Sequence, residues 1–278
     1  MGSIGKSWAL VKASARVLEQ DRELLVFPLI SGVATALVAV SFLAPLVFTG
    51  GWTLLAGEQG GYLGYVLVFL FYLAQYTVIF FFNSALVGAA LIRMQGGDPT
   101  VADGLRIALS RLPAILGYAA ISATVGMVLR AISERTGWIG RLVVGLVGMG
   151  WTLATFLAVP VLVTRNVGPV DAVKESAALF RRTWGEQVVG NVGMGWAFTL
   201  VTIAWTLAVG GAAFLVASVS APAALALVAG WVLGCVVLSL VATSLKGIYT
   251  AALYRYATQG EAAGFDPSFM GSAFRPRG

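Results

Sequence analysis

Two polar stripes interrupt otherwise apolar stretches of this chain. Tyr72, Tyr76 and Asn83, with Gln75 beside them, form one, and Ser239, Thr243, Lys246 and Thr250 form the other. Spacings of three, four and seven residues put each set on one face of a helix. Their chemistry is that of hydroxyls, an amide and one ammonium, which suits hydrogen bonding and anion recognition rather than bond cleavage. Lys246 among hydroxyls could meet a lipid phosphate; equally, it could extend its ammonium to the membrane surface while Asn83 makes an interhelical hydrogen bond. Polar groups in hydrocarbon are costly without partners, so both stripes are expected to point into a helix bundle.

Catalytic sets are absent from the sequence. It has no histidine and a single cysteine, Cys235, and no Asp or Glu falls within its long apolar runs. Ser/His/Asp sets, HExxH, CxxC and paired carboxylates therefore cannot be assembled there, and the intramembrane acids of many proton relays are missing too. The expectation is a protein that is not an enzyme, with no catalytic residue, cofactor or metal site of its own.

The elements that carry the stripes are membrane spans. Hydrophobic residues make up 59% of the chain and charged residues 11%, with a mean hydropathy of +0.89; soluble domains carry about 25% charged residues. A helix needs roughly 20 apolar residues to cross the hydrocarbon core. Six runs qualify: 24–48, 62–92, 112–132, 142–164, 188–216 and 223–253. Their continuity favours helices over alternating barrel strands. The expected fold is all-α: a single transmembrane domain over 1–257, then a flexible cytoplasmic tail over 258–278. Pro45 and Pro160 lie deep enough to bend their helices.

Charge orients the chain. Of its 18 Lys and Arg residues, 15 fall on the side holding both termini and the links after spans two and four, while only Arg130, Arg135 and Arg141 fall on the other. By the positive-inside rule both termini are cytoplasmic, and the long first run reads as an uncleaved span in a bacterial inner (plasma) membrane. The net charge of +6 implies attraction to anionic head groups on the cytoplasmic face and no nucleic-acid partner.

Three linkers on that side have helical periodicity, with apolar stripes at Ile4, Trp8, Val11 and Ala15, at Val101, Leu105, Ala108 and Leu112, and at Val173, Ala177, Phe180 and Trp184. Asp98 with Pro99, the capping-box spacing of Thr100 and Asp103, and Gly168 with Pro169 mark their starts. Basic and Trp-bearing, they suit helices lying in the head-group layer. Each precedes two spans, and the return spans end alike at Arg93, Arg165 and Arg255. Three repeats of a surface helix plus a hairpin, or the ordinary alternation of an even-span protein, both give this pattern.

Glycines at 145, 148, 150, 190, 193 and 195 predict close packing of spans four and five, and Ser122 with Gly126 is a small-residue pair. Gly230 and Gly234 form a GxxxG pair serving either packing within the monomer or a homo-oligomer seam. A protein partner is the remaining option.

The segments Ser7-Trp-Ala-Leu-Val-Lys, Glu23-Leu-Leu-Val-Phe-Pro-Leu, Phe81-Phe-Asn-Ser-Ala-Leu, Gly96-Gly-Asp-Pro-Thr-Val-Ala-Asp-Gly and Arg182-Thr-Trp-Gly-Glu-Gln resemble an uncharacterised family of prokaryotic six-span membrane proteins. More distantly, the plan is similar to the membrane domain attached to some glycerophosphodiester phosphodiesterases, whose catalytic domain has no counterpart here. The resemblance implies a helical membrane fold and lipid proximity, and no catalytic residue. The expected function is a non-enzymatic membrane scaffold or lipid-interacting protein; the alternative is a channel or facilitator for a small solute or lipid.

Overall fold

A computed structural model describes residues 14–49, 61–184 and 193–259, and every regular element among them is helical. In chain order these are α1 (14–20), a 3-10 turn Arg22–Leu25 leading into α2 (Val26–Thr49), α3 (Gly61–Met94), α4 (Val101–Ser110), α5 (Leu112–Arg135), α6 (Trp138–Ala154) and α7 (Ala158–Thr164). They continue with α8 (Pro169–Trp184), α9 (Gly193–Trp205), a π-helical turn Thr206–Gly210, α10 (Gly211–Val216) and α11 (Ala221–Gln259). Six stretches are long and apolar enough to cross a membrane: Arg22–Phe48, Gly61–Met94, Leu112–Arg135, Trp138–Thr164, Phe198–Val216 and Ala221–Gln259. These agree with the six expected runs. Ile4, Trp8 and Val11 of the first surface stripe, and the tail beyond Gln259, lie outside the described residues; Thr258 and Gln259 belong to α11.

The order of short helix, span and return span occurs three times: α1, α2, α3; then α4, α5, α6–α7; then α8, α9–α10, α11. The return spans α3 and α11, at 34 and 39 residues, measure about 51 and 58 Å, well beyond a core of about 30 Å. Their excess forms the protein-buried core, at the end of the bundle that carries the short helices. Residues 84–91 of α3 are buried there together with Leu245, Ile248, Tyr249 and Leu253 of α11 and nearly all of α7. Elsewhere the spans expose large apolar side chains, among them Phe48, Trp138, Phe214 and Leu215, the surface that lipid covers.

The short helices are bound to this core more tightly than their apolar stripes predict. Each presses a pair of residues four apart against the spans: Ser14 and Leu18, Gly104 and Ala108, Ala172 and Ser176. Val173, Ala177 and Phe180, the expected face of α8, are only half buried. Small residues win because the helices meet spans at short range, where bulk cannot fit. Ile107 lies over Gly88, Pro169 over Gly117, and Gly104 over the carbonyl of Ala85.

Chain ends of the elements are closed by local hydrogen bonds. At the end of α3, Gly96 takes φ +87°, Gly97 N–H bonds to Ile92 O and Gly96 N–H to Arg93 O, completing a Schellman motif. Thr100, rather than Asp98, caps α4. Its hydroxyl accepts from Asp103 N–H, and the Asp103 carboxylate accepts from Thr100 N–H. Asp98 instead pairs with Arg93 at 2.9 Å. The Thr100 hydroxyl and backbone amide hold the Asp103 carboxyl below its ordinary pKa.

The three return-span arginines each reach a neighbouring element. Arg93 donates to Gln20 O at the end of α1, Arg165 pairs with Glu175 of α8, and Arg255 donates to Met94 O at the end of α3. A hydrogen bond donated to the Tyr254 hydroxyl, ahead of the charge of Glu175, pushes the Arg165 pKa up.

The fourth span breaks at 155–157, a few residues before Pro160. Proline has no N–H to donate and its ring crowds the preceding turn. The freed amide of Leu157 finds Ser176 Oγ of α8 at 3.0 Å in a buried position. A Ser176→Ala protein is expected to lose about 1–3 kcal/mol, the cost of orphaning a buried donor. Thermal unfolding in detergent, with faster amide exchange at Leu157, checks this; an unchanged transition contradicts it. Pro45, by contrast, lies within an α2 that continues through it to Thr49.

The glycines of span four do not face span five among the described contacts, and the packing of Gly190, Gly193 and Gly195 lies outside the described residues. Gly145 and Gly150 face open space, Gly148 meets Leu129 of α5, and α6 lies against α5 and α8. Span five packs on α11 instead, where the Trp205 ring fills the space over Gly234. Gly126 faces the Tyr76 hydroxyl of α3.

Candidate functional site

A cleft of about 340 Å³ opens where five elements meet. The first turns of α2 supply Pro28 and Ser31, α3 supplies Phe80 and Asn83, and α5 supplies Tyr118. The break between α6 and α7 contributes Thr152, Thr155 and Phe156, and α11 contributes Thr243, Lys246, Gly247 and Thr250. Gly247 makes the meeting of α3 and α11 possible, since a Cβ there would collide with Leu86 and stand 3.7 Å from Asn83 Oδ1.

The structure therefore unites Asn83, Thr243, Lys246 and Thr250 from the two stripes. Tyr72, Tyr76 and Ser239 do not line the cleft. Tyr72 and Tyr76 stack at 6.2 Å, Tyr76 stacks on Phe80 at 5.6 Å, and Phe80 stacks on Tyr118 at 4.5 Å. The aromatic column thus runs along α3 and ends in the cleft wall. At its far end the Tyr72 hydroxyl accepts from Arg130 at 3.2 Å, and Arg130 also pairs with Glu134 at 2.7 Å.

Of the α11 stripe, Thr243, Lys246 and Thr250 turn toward the cleft and Ser239 does not; only Thr250 is buried, while Ser239, Thr243 and Lys246 stay exposed. Its hydroxyls reduce the cost by bonding within the helix. Thr243 Oγ1 donates to Ser239 O at 2.8 Å, and Thr250 Oγ1 donates to Lys246 O at 2.7 Å. A hydroxyl that bonds its own helix can face lipid cheaply.

Lys246 is different. Its ammonium has no hydrogen bond or ion pair among the described residues, and no described carboxylate lines the cleft. The 25 residues of α11 preceding it, 221–245, measure about 37 Å, more than the hydrocarbon core of about 30 Å. Enough helix to cross the core thus precedes Lys246, which lies toward the end bearing α1, α4 and α8.

Tyr118, Thr152, Thr155 and Ser31 are cleft residues that the stripes did not reveal. Only a contact between distant segments gives them a common site.

A larger groove of about 640 Å³ lies between α9 and α11, lined by Val201, Ala204, Trp205, Ala208, Gly230 and Leu233 among others. Its wall is almost wholly apolar, so it offers shape and no chemistry.

Residues 62–265 match a family described as a family of unknown function (DUF6159). The chain belongs to this family. The DUF6159 match spans α3 to α11, hence five of the six candidate spans and every cleft residue named above except Pro28 and Ser31. No curated protein and no solved structure matches the chain.

Proposed function

We propose that this multi-pass membrane protein is a non-enzymatic lipid-interacting protein whose cleft takes the phosphate of an anionic head group, with Lys246 as its counter-charge. The observation that carries this reading is the Lys246 ammonium, which has no partner among the described residues and follows a length of α11 sufficient to cross the hydrocarbon core. A cation in a partly apolar cleft with no carboxylate among the described residues is stabilised by an anion, and lipid phosphate is the abundant anion at a membrane surface. Asn83 supplies further donors from its amide. The positive-inside bias puts this end of the bundle, with both termini, on the cytoplasmic side of the plasma membrane, where anionic lipid is enriched.

Native mass spectrometry of the full chain in nanodiscs of mixed phosphatidylcholine and phosphatidylglycerol tests the reading. Lys246→Ala is expected to reduce retained phosphatidylglycerol at least about tenfold, the weight of one charge-assisted hydrogen bond. Equal retention by the two proteins would overturn it.

The break at 155–157 favours a second reading, because interrupted spans beside a cavity between helices are how transporters line a pathway. Solute flux in proteoliposomes that depends on Asn83 or Lys246 would promote a facilitator over a lipid-holding protein.

A further inference from the structure

The hydroxyls of the cleft narrow the head group it can take. Thr152, Thr155, Thr243 and Thr250 all line the cavity. Each donates its only hydroxyl proton to its own helix: to Gly148 O at 2.9 Å, Trp151 O at 2.9 Å, Ser239 O at 2.8 Å and Lys246 O at 2.7 Å. A hydroxyl has one donor and two acceptor lone pairs, so these four hold only acceptors toward a ligand.

A phosphodiester is itself only an acceptor and cannot bond to them. Its donors must come from Lys246, the amide of Asn83 and the two other hydroxyls of the cleft, Ser31 and Tyr118. A ligand that carries its own O–H or N–H groups next to the phosphate gains hydrogen bonds to these threonine oxygens that a bare phosphate cannot make. An ammonium group would bring a second positive charge beside Lys246 into a cleft lined by no described carboxylate. Neutral hydroxyls carry no such penalty, and the stacked rings of Phe80 and Tyr118 offer an apolar wall for the C–H face of a polyol.

We infer that the cleft selects a polyol phosphodiester, a lipid phosphate bearing free hydroxyls as glycerol or a cyclic polyol does, over a phosphate without hydroxyls and over an aminoalkyl phosphate. This rests on the reading of Lys246 as a phosphate site. Anion attraction alone would bind any acidic lipid equally, and the acceptor threonines supply the discrimination.

The full chain is placed in phosphatidylcholine nanodiscs with phosphatidylglycerol, phosphatidylmethanol or phosphatidylethanolamine, and retained lipid is measured by native mass spectrometry. Phosphatidylglycerol and phosphatidylmethanol are phosphodiesters of the same charge and differ in the head-group hydroxyls. Phosphatidylglycerol is expected to be retained about fivefold more for each threonine contact it makes. Thr243→Val, on the exposed face of α11, is expected to lower that preference while leaving phosphatidylmethanol unchanged, and Thr155→Val gives an independent second variant.

Equal retention of the two acidic lipids, both dependent on Lys246, would overturn the polyol inference and leave the phosphate site standing. Failure of either acidic lipid to exceed phosphatidylcholine, with Lys246→Ala indifferent, would remove both. Preference for phosphatidylethanolamine would overturn the argument from charge. Equal binding of soluble glycerophosphoglycerol would overturn a lipid as the source of the head group.

Discussion

A Gly104→Val protein is expected to lose about 3 kcal/mol or more of stability and, in most preparations, its folded state. Even a Cβ at this position would lie 2.5 Å from Phe27 Cζ and 2.8 Å from the carbonyl oxygen of Ala85. The phenyl ring can turn aside, but the carbonyl belongs to the backbone of α3 and can move only with the helix. Overpacking a tight core costs about 1–3 kcal/mol even when side chains yield. The helix-propensity gain of about 0.5–1 kcal/mol from replacing glycine is too small to offset it. Thermal unfolding in detergent reads the loss directly. A Phe27→Leu change in the same protein is expected to restore only part of it, because the carbonyl remains. Full rescue, or a transition unchanged by Gly104→Val alone, would mean that α4 is not docked on α3 as described.

The second large effect is expected at Gly234, where any side chain displaces the Trp205 ring. That ring is one half of a reciprocal pair: Trp205 Nε1 donates to Trp231 O at 3.2 Å, and Trp231 Nε1 donates to Thr206 Oγ1 at 3.2 Å. Thr206 opens the π-helical turn of span five, so the pair holds an irregular stretch of α9–α10 against α11. No water is present at this depth to replace a lost partner. Interhelical hydrogen bonds of this kind are worth roughly 0.6–2 kcal/mol each, and the steric term adds about 1–3 kcal/mol. Gly234→Val is therefore expected to cost about 3–5 kcal/mol and to alter tryptophan emission. Combined with Trp205→Ala it should cost less than the sum of the two single changes, since the second removes the collision. Strict additivity would contradict the packing. The contact also gives the GxxxG pair a use within the monomer at Gly234, while Gly230 faces open space on the apolar groove.

Much of this architecture was legible in the residues. Hydropathy is a local property, and a bilayer of nearly constant thickness makes run length diagnostic. The six spans, the capping box at Thr100 and Asp103 and an irregularity near Pro160 followed from that and from backbone chemistry, although the same reading of Pro45 met an uninterrupted α2. Periodicity was less reliable at the short helices. It ranks residues by hydrophobicity, whereas docking at short range selects the smallest, so Gly104 and Ser176 were decisive and invisible. The glycines of span four misled for a related reason. A small residue permits close approach without specifying a partner, and Gly145 and Gly150 face open space.

The sequence by itself determined that this is an all-helical six-span chain with two polar stripes and no catalytic set in its apolar runs. Each of those follows from residue type and spacing along one segment. Which stripe residues share a site was decided only by tertiary structure. Asn83 and Lys246 are 163 positions apart, and Gly247 together with the break at 155–157 brings them, Tyr118 and the threonines around one cavity. The orientation of the α11 stripe was likewise a tertiary outcome. Hydroxyls that bond their own helix can sit on either side of it at little cost, so their placement follows from how the spans pack.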